Sequence, residues 1–211
     1  MSKSINDRRG FLKNLKTPAE NDRISLDLGC GTKKFSPSFI GIDLSENTEV
    51  DIIGDVFDIL DEIPDSTISQ IYSSHFFEHI EDIPRLLREC MRVMKSGGNM
   101  DIIVPHHSNP FFYSDPTHKS FYGLYTFAYY AECGILKRGV PAYSRINGLQ
   151  ISNIELIFKS YRPHYIRHGL KKAIEKFVNL SNFNKEFYEE MASGFISCYE
   201  IRTSLIIRKS K

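Results

Sequence analysis

The chain of 211 residues has the composition of an ordinary globular protein and suits one full-size domain. Hydrophobic residues make up 41% of it, and 27 basic against 26 acidic side chains leave a net charge of +1. This balance excludes a protein that is held to nucleic acid or membrane mainly by bulk charge. The charge is uneven, because residues 1–136 carry 13 basic and 20 acidic side chains and residues 137–211 carry 14 and 6. The basic segment predicts either a solvated helix face or attraction for an anionic substrate.

The cysteine pattern and the length of the apolar runs indicate the cellular compartment of the protein. Four cysteines are far apart and have no spacing typical of a disulfide framework or a structural zinc site: Cys30, Cys90, Cys133 and Cys198. No apolar run reaches about 18 residues, and the first ten residues lack the apolar segment of a secretory signal. We therefore expect a cytoplasmic protein without a membrane span.

Short β-like runs alternate with helical patterns after residue 23. Five predicted strands cover residues 24–28, 39–43, 50–53, 68–73 and 100–104. Residues 83–94 have apolar side chains at helical spacing, and Lys95–Gly98 ends that helix with a basic turn and glycine. Two more long strands are predicted at 149–159 and 195–208, with a largely helical, basic segment at 164–192. We predict an α/β fold with a Rossmann-like sheet of seven mostly parallel strands, the last one antiparallel.

The domain organisation follows from the same pattern. Residues 1–22 are predicted to be an N-terminal lead-in, and residues 23–211 one domain. Residues 106–147 break the alternation and are rich in aromatic and turn residues. So long an insertion after the fifth strand is typical of a lid or substrate loop.

Glycines and acidic residues follow the first three predicted strands. Gly29-Cys30-Gly31 forms a loop in which the backbone can approach a ligand closely. Asp43 ends the second strand, where a carboxylate can accept hydrogen bonds from ribose hydroxyls. Asp55, with Val56, could hold the edge of an adenine, and Asp27 could fix the loop or meet an ammonium group. Because parallel strands end at one sheet edge, these groups predict a nucleotide-type site there.

The motifs occur in the order found in one large family. They read LDLGCG at 26–31, GIDLS at 41–45, GDVFD at 54–58, IYSSHFFEHI at 71–80 and RECMRVMKSGGNMDIIVP at 88–105. With them, the chain resembles the class I S-adenosylmethionine-dependent methyltransferases. The resemblance implies S-adenosylmethionine as the cofactor. It also implies cofactor-binding roles for Asp27, Gly29, Cys30, Gly31, Asp43, Leu44, Asp55, Val56, Ser74 and His75.

One feature departs from the family pattern. Only 16 positions separate Asp27 from Asp43, and Pro37 lies between them. We therefore predict that the first helix is very short or absent. Lys33 or Lys34 would then replace helix N–H groups near the carboxylate of the cofactor.

Two other enzyme classes share parts of these motifs. A nicotinamide enzyme would have a third glycine where this chain has Lys34, and no second catalytic domain fits in the length. The segment HFFEH at 75–79 matches a zinc-hydrolase pattern in which His75 and His79 share a helix face, with Glu78 between them and Glu155 as a third ligand. The nucleotide-type context favours helix-start and packing roles for Glu78 and His79, so we predict no metal site.

Histidines are the candidates for a general base, because an acceptor hydroxyl must lose its proton during transfer. His75, His106, His107 and His118 all follow predicted strands or lie in the insert. We favour His107 or His118, with Asp115 orienting an imidazole. A group of aromatic side chains in the insert would cover the pocket: Phe111, Phe112, Tyr113, Phe121, Tyr122 and Tyr125.

The resemblance leaves the acceptor open. Relatives with a DPTH-like insert, here at 115–118, suggest O-methylation of a small molecule such as a sugar or a surface-glycan precursor. Transfer to nitrogen or to RNA is an alternative, although no RNA-binding appendage is visible and no DNA is expected. A cofactor-binding scaffold without catalysis is a further alternative.

Overall fold

The structure, a computed structural model, describes residues 5–15, 23–160 and 164–209. The chain divides into two compact units. Of the described residues, unit 1 contains 5–15, 23–76, 82–102 and 206–209, and unit 2 contains 77–81, 103–160 and 164–205. Within the described ranges, no helix is long and apolar enough to cross a membrane.

Unit 1 is built on a mostly parallel sheet. Its strands are β1 (Asn6–Asp7), β2 (Ile24–Leu28), β3 (Ile40–Asp43), β4 (Ile52–Ile53), β5 (Ile68–Ser74) and the first part of β6 (Met94–Pro105). Strand β2 pairs in parallel with β3 and with β5, and β3 pairs in parallel with β4. The two-residue β1 pairs antiparallel with β4. The carboxyl ends of β2, β3 and β4 therefore lie at one edge, as the alternating pattern predicted.

Three helices accompany these strands: α1 (Phe11–Leu15), α2 (Val56–Asp61) and α3 (Ile83–Val93). Helix α3 buries Leu86, Leu87 and Cys90 completely, because its apolar residues recur at helical spacing and form one stripe. Asp82 caps its first turn by accepting a hydrogen bond from the backbone N–H of Arg85. Between β2 and β3 there is no helix, which confirms the prediction made from their short spacing.

The chain from α3 to β6 differs from the predicted turn. The helix ends at Val93, and β6 begins at once with Met94, so Lys95–Gly98 lies within the strand and does not form a helix-ending turn. Gly97 has φ +85°, and a Cβ on Gly98 would lie 3.0 Å from two carbonyl oxygens. The two glycines therefore allow a strand conformation that larger residues would strain.

Unit 2 combines two long strands with the C-terminal helices. It contains the end of β6, β7 (Leu149–Ile157), most of β8 (Glu200–Ile207), α4 (Tyr165–Asn179) and α5 (Asn182–Phe187). A π-helical turn, Tyr188–Ala192, continues α5. Three 3-10 turns cover Phe77–His79, Phe112–Ser114 and Thr126–Tyr129. The sequence placed the start of the last strand at residue 195, five residues before β8 begins.

The whole arrangement is a Rossmann-like α/β fold. The hydrogen-bonded strand order is β1-β4-β3-β2-β5-β6-β8-β7. The described residues form eight strands where seven were predicted, and the additional one is β1, which lies in the predicted lead-in. Of that lead-in, residues 1–4 and 16–22 lie outside the described residues.

Candidate active site

The glycine loop after β2 has a conformation that requires glycine. Gly29 has φ +69°, and a Cβ there would lie 2.5 Å from three side-chain atoms of Phe76. Gly31 has φ +55°, but a Cβ on it would meet no atom within 4 Å. The first glycine is therefore required by both conformation and space, and the second by conformation alone.

Asp43 holds this loop from the end of β3. Its Oδ2 accepts a hydrogen bond from the backbone N–H of Gly31 at 2.8 Å. Its Oδ1 accepts hydrogen bonds from the backbone N–H of Ser45 at 2.8 Å and from the Ser45 hydroxyl at 2.6 Å. Each carboxylate oxygen can accept more than one hydrogen bond, so Oδ2 keeps capacity for a ligand hydroxyl. Leu44, beside it, is 55% exposed.

Asp27 is a buried carboxylate beneath the same loop. Its Oδ2 accepts a hydrogen bond of 2.6 Å from the backbone N–H of Phe35. Burial raises the pKa of Asp27 to about 6, although this hydrogen bond and the charge of Lys34 act in the opposite direction. A cavity of about 320 Å³ is lined by Asp27, Gly29, Cys30, Lys33, Lys34, Phe35, Tyr72 and Ser74. Burial also raises the pKa of the Cys30 thiol to about 12, so this sulfur is an unreactive part of the wall.

The two lysines after the loop have different roles. Lys34 forms a buried ion pair with Asp51, with an Nζ–Oδ2 distance of 2.7 Å. Asp51 also accepts a hydrogen bond from the backbone N–H of Gly41 at 2.9 Å. Of the two lysines predicted to supply charge near the cofactor, Lys33 is therefore the one whose ammonium group has no ion pair within the described residues.

Asp55 and Val56 start helix α2. Asp55 caps the helix by accepting a hydrogen bond from the backbone N–H of Phe57 at 2.8 Å, and Val56 is buried. This contact is the structural role that an acidic residue at a helix start usually has. The cap uses only the Oδ1 atom of Asp55, which leaves Oδ2 for a ligand. A binding role for Asp55 therefore stays a prediction.

Ser74 and His75 follow at the end of β5. Ser74 lines the cavity described above, and His75 has φ +55°, which is uncommon for a residue other than glycine. Backbone strain of this kind concentrates at functional sites. The strand ends that the sequence predicted to converge within unit 1 therefore do so at Gly29–Gly31, Asp43 and Ser74.

In unit 2, His106 and His107 meet a glutamate that lies 82 positions beyond His107. The Nε2 of the fully buried His106 lies 2.9 Å from Glu189 Oε2, and His107 Nδ1 lies 3.8 Å from Glu189 Oε1. The backbone N–H of Leu124 donates a hydrogen bond of 2.9 Å to the same Oε1. Burial opposes ionisation of Glu189, but the hydrogen bonds from His106 and from the backbone N–H of Leu124 hold its pKa below the usual value.

The hydrogen bonds of His106 fix its tautomer. The backbone N–H of Ser108, which can only donate, lies 3.1 Å from His106 Nδ1. Nδ1 therefore carries the lone pair, and Nε2–H donates to Glu189. His107 keeps 39% of its side chain exposed, and burial, followed by the neighbouring His106, lowers its pKa. The lowered pKa favours the neutral form of His107, which is the form that a general base requires.

His118 and Asp115 form a second histidine group in unit 2. His118 Nε2 lies 3.7 Å from Asp115 Oδ2, which is longer than a hydrogen bond. Thr117 donates to Asp115 from both its hydroxyl, at 2.6 Å, and its backbone N–H, at 2.9 Å, and these bonds lower the pKa of Asp115. The predicted His–Asp pair is therefore close, although the carboxylate is held by Thr117.

Comparison with known proteins finds similarity to methyltransferases. A family profile described as "Methyltransferase domain" matches residues 26–102. Phosphoethanolamine N-methyltransferase 3 of Arabidopsis thaliana is 28% identical over 202 residues, which cover 82% of this chain and 38% of that protein. Ajmaline N-methyltransferase of Rauvolfia serpentina is 31% identical over 111 residues, with 42% of this chain and 38% of that protein covered. A solved S-adenosylmethionine-dependent methyltransferase from Archaeoglobus fulgidus has a TM-score of 0.54 at 18% identity and covers 93% of this chain and 91% of its own.

Residues 26–102 thus match a methyltransferase domain, and the fold of the chain is that of solved S-adenosylmethionine-dependent methyltransferases. The matched segment contains the glycine loop, Asp43, Asp55 and Ser74, so the sequence resemblance to this family is confirmed. The chain spans about two fifths of the length of the curated methyltransferases that it matches.

The residues present fit the cofactor of this methyltransferase family. A glycine whose Cβ would collide with Phe76 keeps the loop close to the cavity, and a carboxylate at the end of β3 suits a ribose diol. Lys33 offers a donor for a carboxylate, whereas the backbone N–H groups of residues 29–31 already donate to the Ile42 carbonyl and to Asp43. Gly29, Gly31, Asp43 and Lys33 are thus the residues that would hold S-adenosylmethionine.

The zinc-hydrolase interpretation needs a helix over residues 75–79, where the structure has a strand end and a 3-10 turn. His75 follows strand β5, and residues 77–79 form a single 3-10 turn, so His75 and His79 do not share a helical face. Glu155 lies on β7, where its carboxylate contacts Asn153 at 3.2 Å and Arg202 at 3.8 Å. Neither His75 nor Glu155 belongs to a potential metal-ligand group among the described residues.

Of the six aromatic residues predicted to cover the pocket, Tyr125 is partly buried and its hydroxyl donates to Glu186 Oε1 at 3.0 Å, and the other five divide into two groups. Phe112 and Tyr122 are buried and form the core of the insert, and the Tyr122 hydroxyl donates to the carbonyl of Phe77 at 3.1 Å. Phe111, Tyr113 and Phe121 are more than half exposed. Only this second group is available to cover a pocket, so the predicted role holds for at most part of the set.

A larger cavity in unit 2 has both basic and aromatic residues in its lining. Its volume is about 620 Å³, and its lining includes Lys159, His164, Arg167, Lys171, Phe111 and Tyr199. Lys159 is paired with Glu200 at 2.6 Å, and burial, followed by the charge of Arg167, lowers the pKa of Lys171. The basic C-terminal segment thus contributes cations to a concave site as well as to a solvated face.

Sequence reasoning missed Glu189. It lies on the π-helical turn that follows α5, in a segment interpreted only as basic and helical. A π-helical turn is rare and is often found at functional sites, but no local sequence pattern predicts it. Its partners, His106 and His107, were recognised because they follow a strand.

Proposed function

We propose that this chain transfers a methyl group from S-adenosylmethionine to a small molecule. The observation that carries the proposal is the Gly29–Gly31 loop, tied to Asp43 at the end of β3 within the segment that matches the methyltransferase domain. When bound, the cofactor supplies an electrophilic methyl group on a sulfonium. The remaining task of the protein is to hold the acceptor in line and to remove its proton.

His107 is our proposed general base. It is half-buried, its pKa is lowered, and the carboxylate of Glu189 lies 3.8 Å from its Nδ1. Glu189 is in turn fixed by His106 and by the backbone N–H of Leu124. The Nδ1–Oε1 distance is longer than a hydrogen bond, so the proposal requires that acceptor binding shortens it and lets Glu189 orient the imidazole, whose other nitrogen then accepts a proton. The carboxylate partner is Glu189, whereas the sequence suggested Asp115, which lies beside His118.

The acceptor atom in this proposal is a hydroxyl oxygen. A hydroxyl must lose its proton during transfer, which gives a general base such as His107 a clear task. Nitrogen is the second candidate, because both curated relatives are named as N-methyltransferases. An amine needs only its neutral form, so the dependence on His107 distinguishes the two.

The acceptor is also proposed to be anionic. Lys159, Arg167 and Lys171 line the larger cavity of unit 2, together with the aromatic Phe111 and Tyr199. Guanidinium and ammonium groups in a concave site favour phosphate or carboxylate. A phosphorylated sugar or a phosphorylated amino alcohol would supply that charge.

Calorimetric titration tests the cofactor half of the proposal. We expect the chain to bind S-adenosylmethionine and S-adenosylhomocysteine at micromolar concentrations, and Asp43→Ala to weaken both by at least about 100-fold, since the loop and the ribose lose their acceptor. Asp61→Ala, which removes an exposed carboxylate on α2, is the matched control. Absence of binding to the unmodified chain would overturn the proposal.

A transfer assay with labelled methyl groups tests the acceptor half. The assay compares sugars with sugar phosphates and simple amines with phosphorylated amines. It also includes nucleotide sugars. We expect phosphorylated acceptors to react best and Arg167→Ala to raise their KM while leaving unphosphorylated ones unchanged. Cofactor binding without transfer to any acceptor would support the scaffold alternative instead.

A further inference from the structure

We propose that Glu78, His79 and His118 in unit 2 bind a divalent transition-metal ion. One potential ligand atom from each side chain lies within 4.8 Å of the other two. Two imidazoles and a carboxylate are donors that zinc and its first-row neighbours prefer. The group differs from the sequence-based zinc pattern, because His118 of the insert takes the place of His75.

The hydrogen bonds of His79 leave one ring nitrogen free for a ligand role. The Thr117 hydroxyl donates its proton to Asp115 Oδ1 at 2.6 Å, so its oxygen can only accept from His79 Nδ1, which lies 2.9 Å away. Nδ1 of His79 is therefore protonated, and the lone pair of the neutral ring lies on Nε2. A metal-binding histidine commonly donates its other N–H to such a partner, here linked to a carboxylate.

His118 has the same polarity. Its Nδ1 lies 2.8 Å from the carbonyl oxygen of Phe112, which can only accept, so this nitrogen donates and Nε2 carries the lone pair. The side chain is 12% exposed, and its ring packs at 4.7 Å from that of Phe112, which fixes its orientation. The centroids of the His79 and His118 rings are 5.0 Å apart.

Glu78 offers the carboxylate oxygen of the group. Its side chain is only 1% exposed. Its backbone carbonyl accepts hydrogen bonds from Lys119 at 2.7 Å and Ser120 at 3.3 Å, which ties the Phe77–His79 turn to the insert beside His118. With Asp115 Oδ2 at 3.7 Å from His118 Nε2, two carboxylates lie near the nitrogen lone pairs and favour a cation.

In the other histidine group of unit 2, the ring nitrogens are not all available to a metal ion. One potential ligand atom from each of His106, His107 and Glu189 also lies within 4.8 Å of the other two. His106, however, accepts from Ser108 at Nδ1 and donates to Glu189 from Nε2, so its lone pair is already used. Comparison of the two groups therefore assigns the cation to Glu78, His79 and His118, and the hydrogen-bonded positioning role to Glu189.

The geometry also limits the kind of ion. Ligand atoms around a tetrahedral zinc lie about 3.3 Å apart, so the three side chains must move together by roughly 1 Å. Three protein ligands leave one position open. Magnesium and calcium prefer sets of oxygen ligands, so we expect weak binding of both.

Equilibrium dialysis with zinc, against a chromophoric chelator, tests the site. We expect one zinc per chain in the unmodified protein, and His79→Ala and His118→Ala to weaken binding by at least about tenfold. His164→Ala, which removes an exposed histidine outside the group, is the matched control. Substitution of cobalt gives ligand-field absorption whose intensity reports the number of ligands.

Thr117→Val keeps all three ligands and removes only the link from His79 to Asp115. Since Thr117 is exposed, this variant should fold normally, and we expect it to weaken zinc binding by about tenfold. The proposal is overturned if zinc does not bind at one per chain, or if the His164→Ala control loses as much affinity as the ligand variants. Chelator-treated protein should still bind S-adenosylmethionine, so either result is independent of the proposed methyl transfer.

Discussion

The cofactor loop of unit 1 and the histidine groups of unit 2 are built in opposite ways. The loop is made from backbone conformation and from residues close together in the sequence, since Asp43 binds a backbone N–H only 12 positions away. The histidine groups join side chains that lie far apart in sequence: Glu189 is 83 positions from His106, and His118 is 39 positions from His79. The first kind of site depends on glycine, and the second depends on packing of the whole unit.

The largest expected effect is the loss of S-adenosylmethionine affinity when a glycine in the loop of unit 1 is substituted. In Gly29→Ala, the new methyl group would lie 2.5 Å from Phe76 in a backbone conformation with φ +69°, so the loop must move. We expect S-adenosylmethionine affinity to fall by at least about 100-fold, measured by calorimetry. Gly31→Ala is the matched variant: φ is +55° but the space is open, so the predicted loss is about tenfold or less. Equal losses would mean that conformation alone governs the loop.

A smaller effect, on kcat, is expected when the carboxylate of Glu189 in unit 2 is neutralised. Glu189→Gln keeps the size of the side chain but weakens its interactions with His106 and His107. We expect kcat to fall by about 10- to 100-fold and cofactor affinity to stay unchanged. The charge of Glu189 raises the pKa of His107, so the rise of kcat/KM with pH should move to lower pH in the variant.

The control for that experiment is Glu190→Gln, which neutralises the adjacent exposed carboxylate. It should change neither kcat nor the pH profile. If Glu189→Gln lowers the melting temperature but leaves the pH profile in place, Glu189 has only a structural role and our proposed base is wrong.

Gly123→Ala perturbs the same group by size alone. A Cβ at this position would lie 2.5 Å from Glu189 Oε1 and 3.1 Å from His107 Nδ1. We expect kcat to fall by about tenfold while S-adenosylmethionine binding is retained. Gly139→Ala, which has open space around it, should leave both values unchanged. Loss of cofactor binding in Gly123→Ala would contradict the view that the cofactor loop of unit 1 and the histidine group around Glu189 in unit 2 act separately.

The smallest effect is expected for Asp27→Asn and concerns stability. Burial raises the pKa of Asp27 to about 6, above the value of about 3.9 for an exposed aspartate. The folded chain therefore binds this proton more tightly than the unfolded chain, and the free energy of unfolding falls as pH rises from about 4 to about 6. Asp27→Asn should remove this loss and stabilise the chain by about 1 kcal/mol at pH 8 but not at pH 4.

Chemical denaturation at the two pH values measures this difference. Asp61→Asn, on the surface, is the control and should show no dependence on pH. An Asp27→Asn variant that is less stable at pH 8 would mean that its hydrogen bond to Phe35 outweighs the cost of burying the charge.

The sequence predicted the fold and the cofactor loop because their determinants are local. Alternating apolar runs, the pair of glycines and an acid at a strand end are visible within short windows, and the short path from Asp27 to Asp43 predicted the missing helix. The continuation of α3 directly into β6 was not predicted, because Gly97 and Gly98 are typical of a helix end. In this chain, Gly97 and Gly98 lie within the long strand β6 and allow its backbone conformation, so they do not end the helix.

The histidine groups could be predicted only in part. His107 and His118 were recognised as candidates, but their environments depend on which distant residues fold against them. The sequence therefore assigned Asp115 as a carboxylate partner from its proximity in the chain. The structure places Glu189 against His106 and His107, and no short sequence window contains that information.

The π-helical turn at Tyr188–Ala192 makes the position of Glu189 sensitive to chain length. Such a turn contains one residue more than an α-helical turn, as if a single residue had been inserted. Deletion of Met191 or Ala192 would restore regular winding and rotate the side chains on one side of the deletion by about 100° relative to those on the other. Homologues in which this segment is one residue shorter should therefore lack the Glu189–His106 pair, even where every residue around it is otherwise the same.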